Sequence, residues 1–103
     1  MASKSIIDNS EKCFFCDSLY NIERHHCIHG TANRRLAEED GLWINLCRRH
    51  HSEVHGKDGH EIDMTLRRLA EWSWLDARGY IKDGVPDPDG IAAFVKRYGK
   101  NLI

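Results

Sequence analysis

The sequence predicts an α+β fold, in which a small strand–loop–strand–helix unit is stapled by a metal ion and followed by two C-terminal helices. Three observations predict it. Cys13-x-x-Cys16 and Cys47-x-x-His50 are two ligand pairs with the same two-residue gap. Residues 20–28 alternate with period two and residues 42–46 form a short apolar run, and both patterns read as strands. Apolar residues recur at helical spacing over 61–78 and 91–98. The 103 residues make one domain. Residues 1–12 form a flexible arm, 13–57 the ligand pairs and the core unit, and 58–103 a helical extension.

In chain order, residues 1–12 are polar except for Ile6 and Ile7, which suits a loose arm or a short lead-in strand. Two thiolates three residues apart can face one tetrahedral zinc at about 2.3 Å each across a tight turn. Cys13 and Cys16 meet that condition, and Cys47 with His50 supplies the second pair. Cys27 in place of His50 would give an all-cysteine site instead. Along 20–28, Ile22, Arg24, His26 and Ile28 share one alternation, and Glu23, His25 and Cys27 share the other. His25 and His26 therefore point to opposite faces of a regular strand. For both to serve one site the strand must end there, and His29-Gly30-Thr31 is a suitable break.

Residues 30–41 carry no strand pattern; 32–40 have room for a helical turn or two, but the stretch reads best as a long loop. Arg34 and Arg35 within it are candidates for phosphate contacts, or are a solvated charge pair. After the strand at 42–46, a helix begins at His50 or His51 and runs through His55, ending at Gly56 and Gly59. Residues 61–78 form a longer helix whose stripe is Ile62, Leu66, Leu69 and Ala70. Trp72 or Ser73 can extend that stripe, but Trp72, Trp74 and Leu75 cannot all share it, so this helix touches two surfaces. Core packing is the first role for its tryptophans, with base stacking or a dimer interface as the other. Residues 82–90, with Pro86 and Pro88, are turn-rich. The last helix, 91–98, buries Ile91, Phe94, Val95 and Tyr98, and the tail 100–103 packs back.

The formal net charge is −1, which neither demands nor excludes nucleic acid. Its distribution is more informative. Residues 24–35 hold three arginines and no acid, and Arg48, Arg49 and Lys57 face only Glu53 within 41–57. Residues 58–90 hold eight acids against four bases. A basic face around the histidines follows, with the acidic helix turned away from it. No run is long enough to cross a bilayer, and none has the form of a secretory signal. For a cytoplasmic chain, cysteines at this spacing among histidines read as metal ligands rather than disulfides.

His51 and His55 are four apart and share a helix face, so together they can chelate one divalent ion. With His25 or His26 they make a set of three imidazoles that leaves coordination positions open for water and a phosphate oxygen. A fourth, unliganded histidine near neutral pKa can take a proton from water. That is a complete device for hydrolysing a phosphodiester. The bland alternative is that these histidines bind structural zinc or lie on a polar surface.

The His25-His26 pair at a strand end, the following loop and strand, and His51-x3-His55 on a helix resemble the HNH endonucleases. The site of that family is a ββα-metal finger. Cys13-x2-Cys16 and Cys47-x2-His50 match its zinc-stapled branch. The residues around 24–35, 46–51 and 98–102 are also similar to small phage and prophage HNH proteins and, more distantly, to the phage recombination-enhancement nuclease. The resemblance implies that His25, His51 and His55 hold the catalytic ion (Mg2+, Mn2+, Ni2+ or Zn2+) and that His26 is the general base. It implies that Cys13, Cys16, Cys47 and His50 hold a structural Zn2+. The reaction implied is hydrolysis of DNA to leave a 5′ phosphate, in the cytoplasm of a bacterial host. Arg34, Arg35, Arg48 and Arg49 would contact DNA, and a recombination or packaging protein is the partner such a small enzyme would use. One departure stands out. The family has an asparagine about five residues before the Cys47 position, and here Leu42 occupies it, which leaves Asn45 or Asn33 to brace His26. The rival readings are a non-catalytic zinc module that binds nucleic acid and a partner-binding phage protein.

Overall fold

The computed structural model describes residues 4–103. Among them are four helices and two small antiparallel sheets, an α+β arrangement. Strand β1 (Ile22–His26) pairs with β2 (Trp43–Cys47), with Ile22 opposite Cys47 and His26 opposite Trp43. This register sets His25 across from Ile44 and brings Cys47 to the end where the first cysteine pair lies. Leu42, just before β2, and Ile44 and Leu46 within it are fully buried, so this apolar run supplies the centre of the core.

Helix α1 (Thr31–Asp40) occupies the stretch expected to be a loop. Its composition explains the miss. It begins at Gly30 without a side-chain cap, carries no acid in its first turn and no base in its last, and buries only Ala37. The usual start and stripe patterns are therefore absent, and only Gly41 marks a stop. Tertiary contacts hold it instead. Asp40 accepts hydrogen bonds from Trp74 Nε1 at 2.9 Å, Arg97 Nε at 2.6 Å and Tyr98 Oη at 2.6 Å. These tie α1 to the two C-terminal helices.

Gly41 ends α1 in the left-handed region, at φ 76°. A Cβ there would also collide with the Lys4 carbonyl oxygen, so glycine is required on both counts. That closeness reflects how the N-terminal stretch is held. Ile6 N donates to Gly41 O at 2.9 Å, Ser5 is buried with its hydroxyl on Trp43 O, and Asn45 Nδ2 donates to Ser10 O at 2.9 Å. Residues 4–12 are thus a strap across the hairpin rather than a free arm. The first three residues of the expected arm lie outside the described range.

Helix α2 (Arg48–Val54) starts directly from Cys47, with His55 at its C-terminus. Helix α3 (His60–Ala77) and helix α4 (Pro88–Tyr98) lie where apolar spacing predicts them. Between them the turn-rich stretch forms a minimal hairpin of β3 (Ile81–Lys82) and β4 (Val85–Pro86). In α3, Leu66, Ala70, Trp74 and Leu75 are buried, whereas Ile62 and Trp72 are only partly covered, at 39% and 37% exposed. Trp74 packs edge-on to Phe94 with ring centroids 5.4 Å apart, which makes it a core residue. The tail returns to α3, where Leu102 N donates to the buried Glu71 carboxylate at 2.7 Å and Arg68 Nε to Leu102 O at 3.2 Å. No helix of the described residues is long and apolar enough to cross a membrane.

Asp40 provides a direct test of this framework. Burial alone would raise its pKa, but hydrogen bonds from Arg97, Tyr98 and Trp74 outweigh that and hold it below the usual carboxylate value. A depressed folded-state pKa contributes stability above the unfolded value of 3.8, lost as pH falls through the folded value. Asp40→Asn should therefore cost on the order of 2–3 kcal/mol at pH 7, because it removes charge from several donors. The penalty should shrink as pH falls from the unfolded value of 3.8 through the lowered folded value, where the wild type also loses this charge. Urea unfolding of both proteins across pH checks it, and a pH-independent difference would exclude the assignment.

Candidate functional site

The first ligand group assembles at the open end of the hairpin. Cys13 N donates to Ser18 O and Phe14 N to Asn45 O, so the turn carrying Cys13 and Cys16 is pinned to β2. Cys47, the last residue of β2, and His50, in the first turn of α2, face it. Cys16 Sγ lies 3.9 Å from Cys47 Sγ, and His50 Nδ1 lies 3.5 Å from Cys13 Sγ and 3.2 Å from Cys47 Sγ. A tetrahedral shell with bonds of about 2.3 Å sets neighbouring sulfurs ~3.8 Å apart. The four side chains can thus hold one structural metal ion. Burial pushes the Cys13 thiol up, but backbone N–H groups of Cys47, Phe15 and Cys16 pull harder and bring it down to about 6. The thiolate is the ligand form. Cys27 takes no part in this group. It is completely buried, and burial raises its thiol to about 12.

The second group lies where β1 ends against the C-terminal half of α2. Ligand nitrogens of His25, His51 and His55 fall within 4.8 Å of one another. The rings are 5.3 Å apart for His25–His51, 5.3 Å for His25–His55 and 4.9 Å for His51–His55, centroid to centroid. His25 is 1% exposed, and its Nε2 is buried without a hydrogen-bond partner. Burial, reinforced by the neighbouring His51 and His55, lowers its pKa to about 3. It is therefore a neutral imidazole with a lone pair in hand, the form a metal ligand needs. Burial also lowers His55. His51 Nδ1 donates to Glu23 Oε1 at 2.9 Å, which leaves Nε2 as its free nitrogen. The donor set and its orientation fit a divalent ion with open positions.

These histidines line a cavity of about 510 Å3 together with Arg24, His26 and Arg34. His26 and His25 both reach it because β1 stops at His26. His26 Nε2 stands 3.5 Å from Glu38 Oε1, an electrostatic contact rather than a strong hydrogen bond. Arg24 NH1 holds both oxygens of Glu38, at 2.7 and 2.8 Å, and stacks over Trp43 with its CZ atom 3.7 Å from the ring centroid. Burial lowers the His26 pKa, against the opposing pull of Glu38. Neither asparagine expected to brace His26 does so. Asn45 is spent on Ser10 O, and Asn33 Nδ2 donates to Tyr98 O at 3.1 Å. Asn45 pairs with Arg24 across the hairpin, and its side chain belongs to the strap. Arg34 lines the cavity, whereas Arg35, Arg48 and Arg49 are exposed outside it.

Sequence reasoning missed four residues here. Glu23 shares an alternation with His25, and that spacing could have flagged it. Glu38 lies on the helix that was read as a loop. His29 carries only a strand-break signal in the sequence, yet its Nε2 lies 2.6 Å from Asp63 Oδ1 and its ring 5.8 Å from that of His25. His25, His29 and Asp63 make a further group of ligand type. Asp63 sits on α3 and is only 8% exposed, so the acidic helix does not turn wholly away from the histidines. Arg67 NH2 balances Asp63 at 2.8 Å.

Glu23 offers a graded test of the second group. Carboxylates that orient a ligating histidine are worth roughly 10–100-fold in metal affinity. Glu23→Gln should weaken divalent-ion binding by about that factor, measured by titration calorimetry, and leave the Cys/His group loaded. Unchanged affinity would mean that His51 does not ligate. Comparison of the chain with family models, with characterised proteins and with solved structures finds no significant match.

Proposed function

We propose that the protein is a metal-dependent endonuclease of HNH type that hydrolyses DNA phosphodiesters. On this reading β1, β2 and α2 form its ββα-metal finger, and Cys13, Cys16, Cys47 and His50 hold a structural zinc. The observation that carries the proposal is three imidazoles converging within ligand distance, with His26 beside them at the same cavity.

A divalent cation held by His25, His51 and His55 would supply charge neutralisation at the phosphate and at the leaving 3′ oxygen. His26 is the general base. Its Nε2 is shielded and faces Glu38, so Nδ1 is the nitrogen that takes the proton from the attacking water. The new P–O bond forms as the bond to the 3′ oxygen breaks, leaving a 5′ phosphate and a 3′ hydroxyl that is protonated from solvent. Glu38, held by Arg24, takes over the orienting role that an asparagine would fill. Its negative charge favours the imidazolium formed when His26 accepts the proton. Arg34 at the cavity wall offers a contact to phosphate, and the exposed Arg35, Arg48 and Arg49 extend it outward. Such contacts are released by salt, so binding should weaken as ionic strength rises. A cytoplasmic, phage-encoded enzyme would use a recombination or packaging partner to reach its DNA.

The test is incubation of supercoiled plasmid with purified protein and added magnesium, manganese, nickel or zinc. Metal-dependent nicking supports the nuclease. A folded, zinc-loaded protein that shows no cutting with any of these metals would instead leave a nucleic-acid-binding module.

A further inference from the structure

The histidine cavity does not account for the surface beside the cysteine turn. Tyr20 is 82% exposed and Leu19 62%, and Tyr20 borders an open groove of about 330 Å3 with Cys16, Asn21, Arg48 and Arg49. The backbone beneath the ring is fixed. Tyr20 N donates to Ser18 Oγ at 3.1 Å, Asn21 is held in the left-handed region at φ 51°, and Arg48 N donates to Asn21 O at 3.0 Å. A large aromatic ring therefore stands in solvent on a rigid turn, with two guanidinium groups alongside and no carboxylate in the groove wall.

We propose that this groove binds an unpaired nucleic-acid strand, with Tyr20 stacking on a base and Arg48 and Arg49 taking the flanking phosphates. Guanidinium groups interleaved with an exposed aromatic ring are the chemistry that holds single strands, because every base has a stacking face. A duplex hides those faces, so a lone tyrosine gains nothing from it. The rigid turn means that little conformational freedom is lost on binding. The groove and the histidine cavity share no lining residue, but Glu23 links them. Glu23 reaches His51 Nδ1 at 2.9 Å with one oxygen and Arg48 Nε at 3.8 Å with the other. A strand held by Arg48 thus leads towards the cavity about one helical turn away. The inference rests on the nuclease reading in treating this strand as the substrate. It narrows that substrate to DNA with unpaired nucleotides beside the cleaved bond.

Fluorescence anisotropy with a labelled oligodeoxythymidine and a hairpin duplex of matched charge, without added divalent ion, tests it. The full chain should prefer the single strand. Tyr20→Ala should weaken single-strand binding about tenfold and leave duplex binding unchanged, while Tyr20→Trp keeps the wild-type affinity. Because the ring is exposed, these variants should keep their zinc content and melting temperature. Equal losses on both probes, or no loss, overturn the proposal. Absence of affinity for either nucleic acid also overturns it and assigns the surface to a protein partner. Tyr20-dependent single-strand binding without plasmid nicking would remove the nuclease reading and leave the groove. Nicking with no Tyr20 effect would do the reverse.

Discussion

His26→Ala should lower metal-dependent plasmid nicking by roughly 10²–10⁴-fold, the usual worth of a general base. Divalent-ion affinity should stay unchanged, because His26 stands outside the group formed by His25, His51 and His55. His51→Ala should instead lose both activity and the ion. That contrast separates proton transfer from ligation, which a loss of activity alone cannot do. The pH profile adds a second check. Burial lowers the His26 pKa, so the neutral base should already prevail at pH 7, and activity should fall only as pH drops through a value below the ordinary 6.5. Glu38→Gln removes the charge that opposes this shift and should move the acid limb further down. Equal nicking by wild type and His26→Ala would exclude His26 as the base and point to His29 as the next residue to replace.

Loss of the proposed zinc should cost the domain most of its stability. Structural zinc contributes about 10–16 kcal/mol to the folding of small finger peptides, against roughly 5–15 kcal/mol for a whole domain. The cost here should be smaller than the peptide figure, because Phe94, Leu66 and Trp74 belong to a core that extends well beyond the metal group. A loss on the order of 5 kcal/mol remains reasonable for a site that joins the first turn, β2 and α2. At about 4–8 °C per kcal/mol for a chain of this size, Cys47→Ser should melt at least ~20 °C lower. It should also carry no zinc at the Cys/His group. Cys27→Ala is the control. It leaves a cavity in the core and loses a little stability, but it should retain zinc because Cys27 lies in neither ligand group. Calorimetry paired with metal analysis reads both. A zinc-free Cys47→Ser protein melting with the wild type would show that the four side chains are not a staple.

Much of this architecture was legible because local rules encode it. The ligand pairs at 13/16 and 47/50 have a fixed gap, and the histidines at 51 and 55 have helical spacing. The two strands and the helices α3 and α4 carry their own periodicity. All seven proposed metal ligands could be named from the sequence, and they fall into the two expected groups. What sequence could not reveal depended on contacts between distant residues. Helix α1 lacks an apolar stripe and an N-terminal side-chain cap, and is held through Asp40 by Trp74 and Arg97, 34 and 57 residues away. Once that stretch is a helix rather than a loop, Glu38 arrives beside His26, a placement no spacing rule encodes. Asp63 reaches His29 across 34 residues, from a helix face that composition alone would leave in solvent. Asn45 has the right chemistry to brace a histidine, but the strap over the hairpin takes its amide first. Sequence by itself determined the kinds of donor and their local geometry. Tertiary structure alone decided the carboxylate environment of each imidazole, because those partners are set by packing between elements and leave no periodic trace along the chain.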